Sequence, residues 1–473
     1  MTDLTLAVYA VALACTTVVV WRRPVVALYV FVVGLALHNA VMDALYGAGV
    51  RGHALTAIQA WKDVILIVAL ASVAFAAVRA RRLPFDPMLV DALALAFAAI
   101  VVLYALVPQH ALGGHATHKA VAYALRHDLA GVGAYFLGRA VVPRMLRIRW
   151  LVLATAAVVA TWGLIDVYAI HLDWWRHNGT VGYFTKQLGY PYGPGLSHLP
   201  DNFVFNNGNE HELTRRLIST FLSPLAAAYL CVVGLLLAPR RRIALLLVVP
   251  AALGLFWTHT RAAVLALAVG LIVLAAVCRR VWPVVAAAAT LAVGLAVVSE
   301  FPHIGPRAHF TPRELVYQRA QARRAGRTTL EPSAESHLSA LRAGVRTVIH
   351  HPQGYGLGNA GEVAFREHVP LKAGESNYTE LGVETGLLGA LLFVAWNLAL
   401  LVGLIRGREG ALAAMLAAVL VVAVQTDAYG IPWLAYCVWW LAGSGLSRSR
   451  GLDTDEAKSA AFDNSEKGVP CPS

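Results

Sequence analysis

Apolar runs long enough to cross a bilayer recur from end to end of this sequence, and they leave the chain few choices of fold. A helical run of roughly 18 apolar residues spans a hydrocarbon layer about 30 Å thick. Stretches near that length lie at 4–21, 25–46, 54–78, 88–107, 120–142, 150–170, 217–238, 243–258, 262–278, 282–300, 377–405, 411–427 and 431–446. They make thirteen spans, or twelve if the last two form one helix broken around Asp427–Pro432. Backbone polar groups in lipid must be satisfied within a helix or a closed barrel, and these runs are too long and too continuously apolar for barrel strands. The composition agrees: 58% of residues are hydrophobic and 14% charged, against roughly 25% charged in soluble domains. The expected fold is all-α, a polytopic membrane protein with 12–13 transmembrane helices.

The net charge of +12 does not point to nucleic acid, because the basic residues sit in short clusters between spans. Arg22–Arg23, Arg79–Arg82, Arg144–Arg149, Arg240–Arg242, Arg279–Arg280, Arg406–Arg408 and Arg448–Arg450 occupy alternate connections. By the positive-inside rule these connections are cytoplasmic. The others, 47–53, 108–119, 171–216, 258–261, 301–376 and 427–431, then face outward. Met1-Thr-Asp-Leu4 lacks a basic lead-in, so the first run reads as a retained span. Cys15, Cys231, Cys278, Cys437 and Cys471 show neither disulfide nor zinc spacing.

Two outward loops are long. Residues 171–216, with Trp174–Trp175 and Tyr190-Pro-Tyr-Gly-Pro-Gly195, read as irregular chain at the interface. In 301–376, Leu338, Leu341, Val345, Val348 and Ile349 recur on one helical face, and Arg342, Arg346 and His350 on another. This is an amphipathic basic helix, suited to anionic headgroups.

The chemically capable residues fall on that same outward side. Arg261, in the tight turn Thr258-His-Thr-Arg261, sits at the membrane face, where it either binds an anion or snorkels from a helix end. Arg215–Arg216 run against the positive-inside trend. A guanidinium fork pairs well with phosphate oxygens, although anchoring to headgroups uses the same charge. Glu375 precedes a span, where a carboxylate accepts a proton or merely meets a helix N-terminus. His337 opens the basic helix and is the other candidate base. His351-Pro-Gln-Gly-Tyr-Gly-Leu-Gly358 lacks a P-loop pattern and reads as a ligand-approaching turn or a tight connector. No metal-ligand spacing is evident, and no cofactor is expected.

The order of these motifs resembles the O-antigen ligase/O-antigen polymerase superfamily of bacterial polysaccharide-assembly membrane proteins. The matching segments are Arg216-Leu-Ile-Ser-Thr-Phe-Leu-Ser-Pro224, Thr258-His-Thr-Arg-Ala262, Ser336-His-Leu-Ser-Ala-Leu341, His351–Gly358 and Glu375-Ser-Asn-Tyr-Thr-Glu-Leu-Gly382 onward to Gly389. The resemblance implies a GT-C-like helical fold and a metal-independent glycosyltransferase. Such an enzyme moves a glycan from an undecaprenyl-diphosphate carrier to an acceptor hydroxyl, in lipopolysaccharide or exopolysaccharide synthesis. It implies that Arg215, Arg216 and Arg261, helped by Arg342 or Arg346, hold the diphosphate. Ligases of the family commonly carry His-Asn where this chain has Ser376-Asn377. Glu375 or His337 must then supply the base, which is closer to the exopolysaccharide-polymerase-like branch.

The implied organisation is an N-terminal transmembrane bundle (1–170), a periplasmic loop (171–216), central transmembrane helices (217–300), a large periplasmic loop with the basic helix (301–376), C-terminal transmembrane helices (377–446) and a disordered cytoplasmic tail (447–473). The implied setting is the bacterial inner membrane, with the active site facing the periplasm. The partners are the lipid-linked glycan, a glycan or lipid-glycan acceptor, the bilayer and other polysaccharide-assembly proteins. A carrier or flippase for lipid-linked oligosaccharide is the competing reading. It would need charges along a path through the bilayer, for which Asp43, Lys62, Asp63, Asp91, Arg126, Asp128, Arg139 and Asp166 are the candidates.

Overall fold

The structure, a computed structural model, describes residues 2–205, 213–324, 333–372 and 376–451. A helix lies within every stretch that the sequence marks as apolar. The N-terminal part comprises α1 (Thr2–Arg22), α2 (Val25–Gly47), α3 (His53–Gln59), α4 (Trp61–Ala80), α5 (Leu89–Leu106), α6 (His118–Ala140) and α7 (Met145–Ala169). Two short helices, α8 (Leu172–His177) and α9 (Thr180–Gly182), lie in the loop that follows. Next come α10 (Pro224–Leu236), α11 (Leu245–Trp257), α12 (Arg261–Cys278) and α13 (Trp282–Glu300). The second long loop carries α14 (Pro312–Arg324), α15 (Ser333–His350) and α16 (Gly361–Arg366), and α17 (Asn377–Arg406), α18 (Gly410–Val422) and α19 (Pro432–Gly451) follow. Among the described residues seven helices, α1, α2, α4, α5, α7, α12 and α17, are long and apolar enough to cross a membrane. The chain is an all-α polytopic membrane protein.

The long loops are more ordered than the sequence suggests. Strands β1 (Val204–Phe205), β2 (Leu213–Arg215) and β3 (Arg307–Ala308) form a small antiparallel sheet in the order β1-β2-β3. Val204 pairs with Arg215 and Leu213 with Ala308, so the sheet sews 171–216 to 301–376. A buried carboxylate adds a second stitch: Glu314 of α14 accepts from Arg176 at 3.1 and 2.6 Å and from the Ser197 hydroxyl at 2.6 Å. The span expected at 217–238 is also corrected. Residues 216–223 run outside the helix, and α10 starts at Pro224 because Ser223 caps it and proline suits a first helical turn.

The core is aromatic. Trp396, Trp433, Trp439, Trp440, Tyr135 and Phe97 are fully buried where α5, α6, α17 and α19 meet. Gly138 lets α6 approach α19 closely, since a Cβ there would collide with the Trp440 carbonyl. A charge inside this core is paired: Arg139 Nε lies 2.9 Å from Asp91 Oδ1, which also accepts from the Tyr135 hydroxyl at 2.6 Å. An intramembrane ion held this way avoids much of its desolvation penalty.

α17 is kinked at Gly386, whose φ of 71° and ψ of 179° lie outside the helical region. The kink receives the glycine-rich segment: Leu387 N–H donates to Pro352 O at 2.8 Å, Tyr355 N–H to Val383 O at 2.6 Å and Gly356 N–H to Glu384 O at 3.1 Å. The Glu384 carboxylate accepts from Gly358 N–H at 2.8 Å, and Asn359 Oδ1 accepts from His115 N–H at 2.7 Å. So 351–360 is a strap across the α17 kink, and it sets α16 beside the transmembrane helices.

Candidate active site

A cavity of about 1620 Å³ opens between α2, α4, α6, α10, α12 and α19, roofed by α15, α16 and the loop before α10. Its apolar walls include Leu35, Leu225, Leu265 and Val424. Its polar walls fall into three groups.

The first group is cationic. Arg216 follows β2 and lies half-exposed to the cavity, its Nε donating to Thr258 O at 2.8 Å and its Nη2 to Thr260 Oγ1 at 3.1 Å. The tight turn 258–260 therefore fixes its plane. Arg261, at the start of α12, is exposed and stands 5.7 Å over the Phe205 ring. Neither guanidinium has a carboxylate partner among the described residues. Burial draws Arg216 down to about 10, with Tyr229 opposing the fall and Arg261 adding to it, so the group stays cationic at neutral pH. His259 lies between them in sequence, buried, its Nε2 donating to Ile304 O at 3.0 Å. Burial first, and then Arg216, push it down to about 4, against backbone hydrogen bonds that raise it. It is a neutral ring stacked on Phe205. The arrangement is a fork for an anion with two unneutralised charges.

The second group is mixed and aromatic. Lys62 and Asp63 of α4, Arg126 of α6, and Glu362 and Arg366 of α16 also line the cavity. Their charges are mostly matched: Arg126 meets Asp63 at 3.3 Å, and the Tyr190 hydroxyl donates to Glu362. Tyr190 and Tyr192 stack with ring centroids 5.0 Å apart, beside Phe365. The third group is mainly acidic: His127, Glu380 and Asp427 line the cavity and also a small chamber of about 10 Å³ beside it.

The residues singled out from the sequence meet different fates. Arg216 and Arg261, far apart in the chain, share one cavity wall. Arg215 does not join them. It is buried in β2, its Nη2 3.5 Å from Asp166 Oδ2, and it is not among the cavity-lining residues. Arg342 and Arg346 are exposed on α15, which turns Leu338 and Leu341 to the cavity instead. Of the expected apolar face, Val348 is buried and Val345 and Ile349 are exposed, while Arg342 and Arg346 do not line the cavity. Glu375 lies outside the described residues, and His337 is described by its backbone alone, as the fifth residue of α15. Neighbouring Ser376 lines the cavity. Among the charges proposed for a transmembrane path, Asp43, Asp91, Arg139 and Asp166 are buried in hydrogen-bonded or ionic pairs and do not line the cavity. Sequence reasoning did not single out His127, Glu362, Arg366, Glu380 or Asp427. Their signal was the presence of ionisable groups in or beside apolar runs. Among the described residues no group of three or more His, Cys, Asp or Glu is placed to hold a metal ion.

Residues 245–394 match the family model described as O-antigen ligase. The match runs from α11 past the kink in α17, taking in Arg261, the three helices of the second loop, the glycine-rich strap and Glu380. No curated protein matches the chain. The family match and the membrane helices together support a membrane-associated, glycan-handling enzyme of the general O-antigen ligase/polymerase class.

Proposed function

We propose that this protein is a glycosyltransferase of the bacterial inner membrane. It transfers a glycan from an undecaprenyl-diphosphate carrier to an acceptor hydroxyl at the periplasmic face, as a polymerase or a ligase. The observation that carries the reading is the pair Arg216 and Arg261, two guanidiniums without carboxylate partners among the described residues, in the wall of a cavity framed by membrane helices. As the anomeric carbon parts from the diphosphate, negative charge grows on the leaving oxygen. Guanidinium donors placed at that oxygen stabilise the charge. The apolar walls suit a polyprenyl chain, and the stacked Tyr190 and Tyr192 beside matched polar groups suit sugar rings. Glu375 or His337 is the candidate proton acceptor that the sequence offers.

Glycan transfer by purified protein, from an undecaprenyl-diphosphate donor without added metal or nucleotide, tests the reading. Arg261→Ala is expected to lower turnover about 100- to 1000-fold, and Arg261→Lys nearly as much, since a point charge does not reproduce a bidentate fork. Normal transfer by Arg261→Ala at normal expression would refute the anion-binding role.

A further inference from the structure

The acidic end of the cavity contains a chain of hydrogen-bonded groups. The connector between α18 and α19, residues 423–431, carries Asp427 into the cavity wall. Asp427 Oδ1 accepts from Gly430 N–H at 2.9 Å, which fixes the carboxylate on its own turn. Asp427 Oδ2 lies 2.9 Å from His127 Nε2, and His127 Nδ1 lies 2.8 Å from Asp128 Oδ1. A ring gripped by a carboxylate at each nitrogen has no freedom to rotate.

Two observations connect this chain to the reacting end. Thr426, adjacent to Asp427, meets the Tyr229 hydroxyl at 3.0 Å, and Thr426, Asp427, Arg216 and Arg261 all line the cavity. The acid therefore shares one cavity with the proposed diphosphate site. Asn377, 1% exposed, lines the small chamber beside Asp427, and neither its amide oxygen nor its nitrogen has a partner among the described residues. The chamber, about 10 Å³, has room for one hydroxyl-sized group. An unpaired buried amide next to a fixed carboxylate is a seat for a hydroxyl, since it offers one donor and one acceptor.

We infer that Asp427 takes the proton from the attacking acceptor hydroxyl, with His127 as its positioning residue. The inference rests on the glycosyltransferase reading above. The acceptor oxygen bonds to the anomeric carbon while the bond from that carbon to the diphosphate oxygen breaks. The bonding pair leaves with the diphosphate, and the hydroxyl proton passes to the Asp427 carboxylate and thence to water. Asn377 orients the hydroxyl, and His127 holds the carboxylate toward it.

The test is steady-state transfer, with donor binding measured separately by a fluorescent undecaprenyl-diphosphate analogue. Asp427→Asn, which keeps size and the turn, should lower kcat by about 100- to 10,000-fold while donor binding holds. Asp427→Glu should recover part of that loss, and His127→Gln should lower kcat while leaving the donor KM in place. A merely structural role would lower thermal stability and donor binding together and would gain nothing from Asp427→Glu, and that result overturns the inference. So does full turnover by Asp427→Asn in a protein whose Arg261→Ala variant is inactive, or loss confined to Glu375→Gln, His337→Ala or Glu380→Gln. Absence of transfer by the unmodified protein overturns the glycosyltransferase reading, and the base with it.

Discussion

Arg215 and Arg216 are neighbours in sequence and strangers in space. Extended chain sends successive side chains to opposite faces, so one arginine reaches inward to Asp166 and the other into the cavity. The expectation that both hold the diphosphate came from the resemblance; the short strand that ends at Arg215 cannot be seen in so brief a stretch. Arg261 was legible because a turn that tight leaves a charge nowhere else to go. Asp427 and His127 were not, since 300 residues separate them and only packing joins them. At this scale His259 gives a pH prediction. Its folded value near 4 lies below its ordinary 6.5, so the unfolded chain binds more protons between those limits. Stability is then full above about pH 6.5, falls as pH drops toward 4, and levels off below it. Thermal unfolding in detergent between pH 7 and pH 4.5 should show the fall, and His259→Gln should flatten it. An equal slope in the variant would show that other groups cause the decline.

At the scale of elements, helix positions follow from length and hydropathy, because lipid demands internally satisfied backbone over those lengths. The use of the glycine-rich segment does not follow, because its partner is the interior of another helix. Gly386 is what lets α17 accept the strap. Its conformation is essentially restricted to glycine, and a Cβ there would stand 2.6 Å from Pro352 O. Gly386→Ala should therefore destabilise the protein by about 1–3 kcal/mol and release the strap. Hydrogen exchange at the amides of Tyr355 and Gly356, which donate into α17, reads this directly. Faster exchange there, with the amides of α6 and α19 still protected, is the expected pattern. Unchanged exchange at both amides would mean that the kink does not depend on the missing side chain. The strap also carries α16, so the variant should weaken the Glu362 and Arg366 wall before it disturbs Arg216 and Arg261.

For the whole molecule, the proposed chemistry depends on which side of the membrane the cavity's roof occupies. The sheet and the Arg176–Glu314 pair join the two long loops, so they share one side. The arginine-rich connections at Arg79–Arg82 and Arg406–Arg408 alternate with them along the chain, and the positive-inside rule places those in the cytoplasm. The loops, with Arg216 and Arg261 beneath them, would then face the periplasm. There no nucleotide sugar is at hand and a lipid-diphosphate donor is the fitting substrate. A protein with Cys15, Cys278 and Cys471 replaced by Ser allows a direct check with a membrane-impermeant thiol reagent on intact spheroplasts. Gln321→Cys, exposed on α14, should label, and Leu83→Cys, exposed beyond α4, should label only after lysis. The reverse pattern would put the arginines on the side where nucleotide sugars are abundant. It would then remove the reason for choosing a lipid-linked donor, whatever the variants of Arg261 and Asp427 do to turnover.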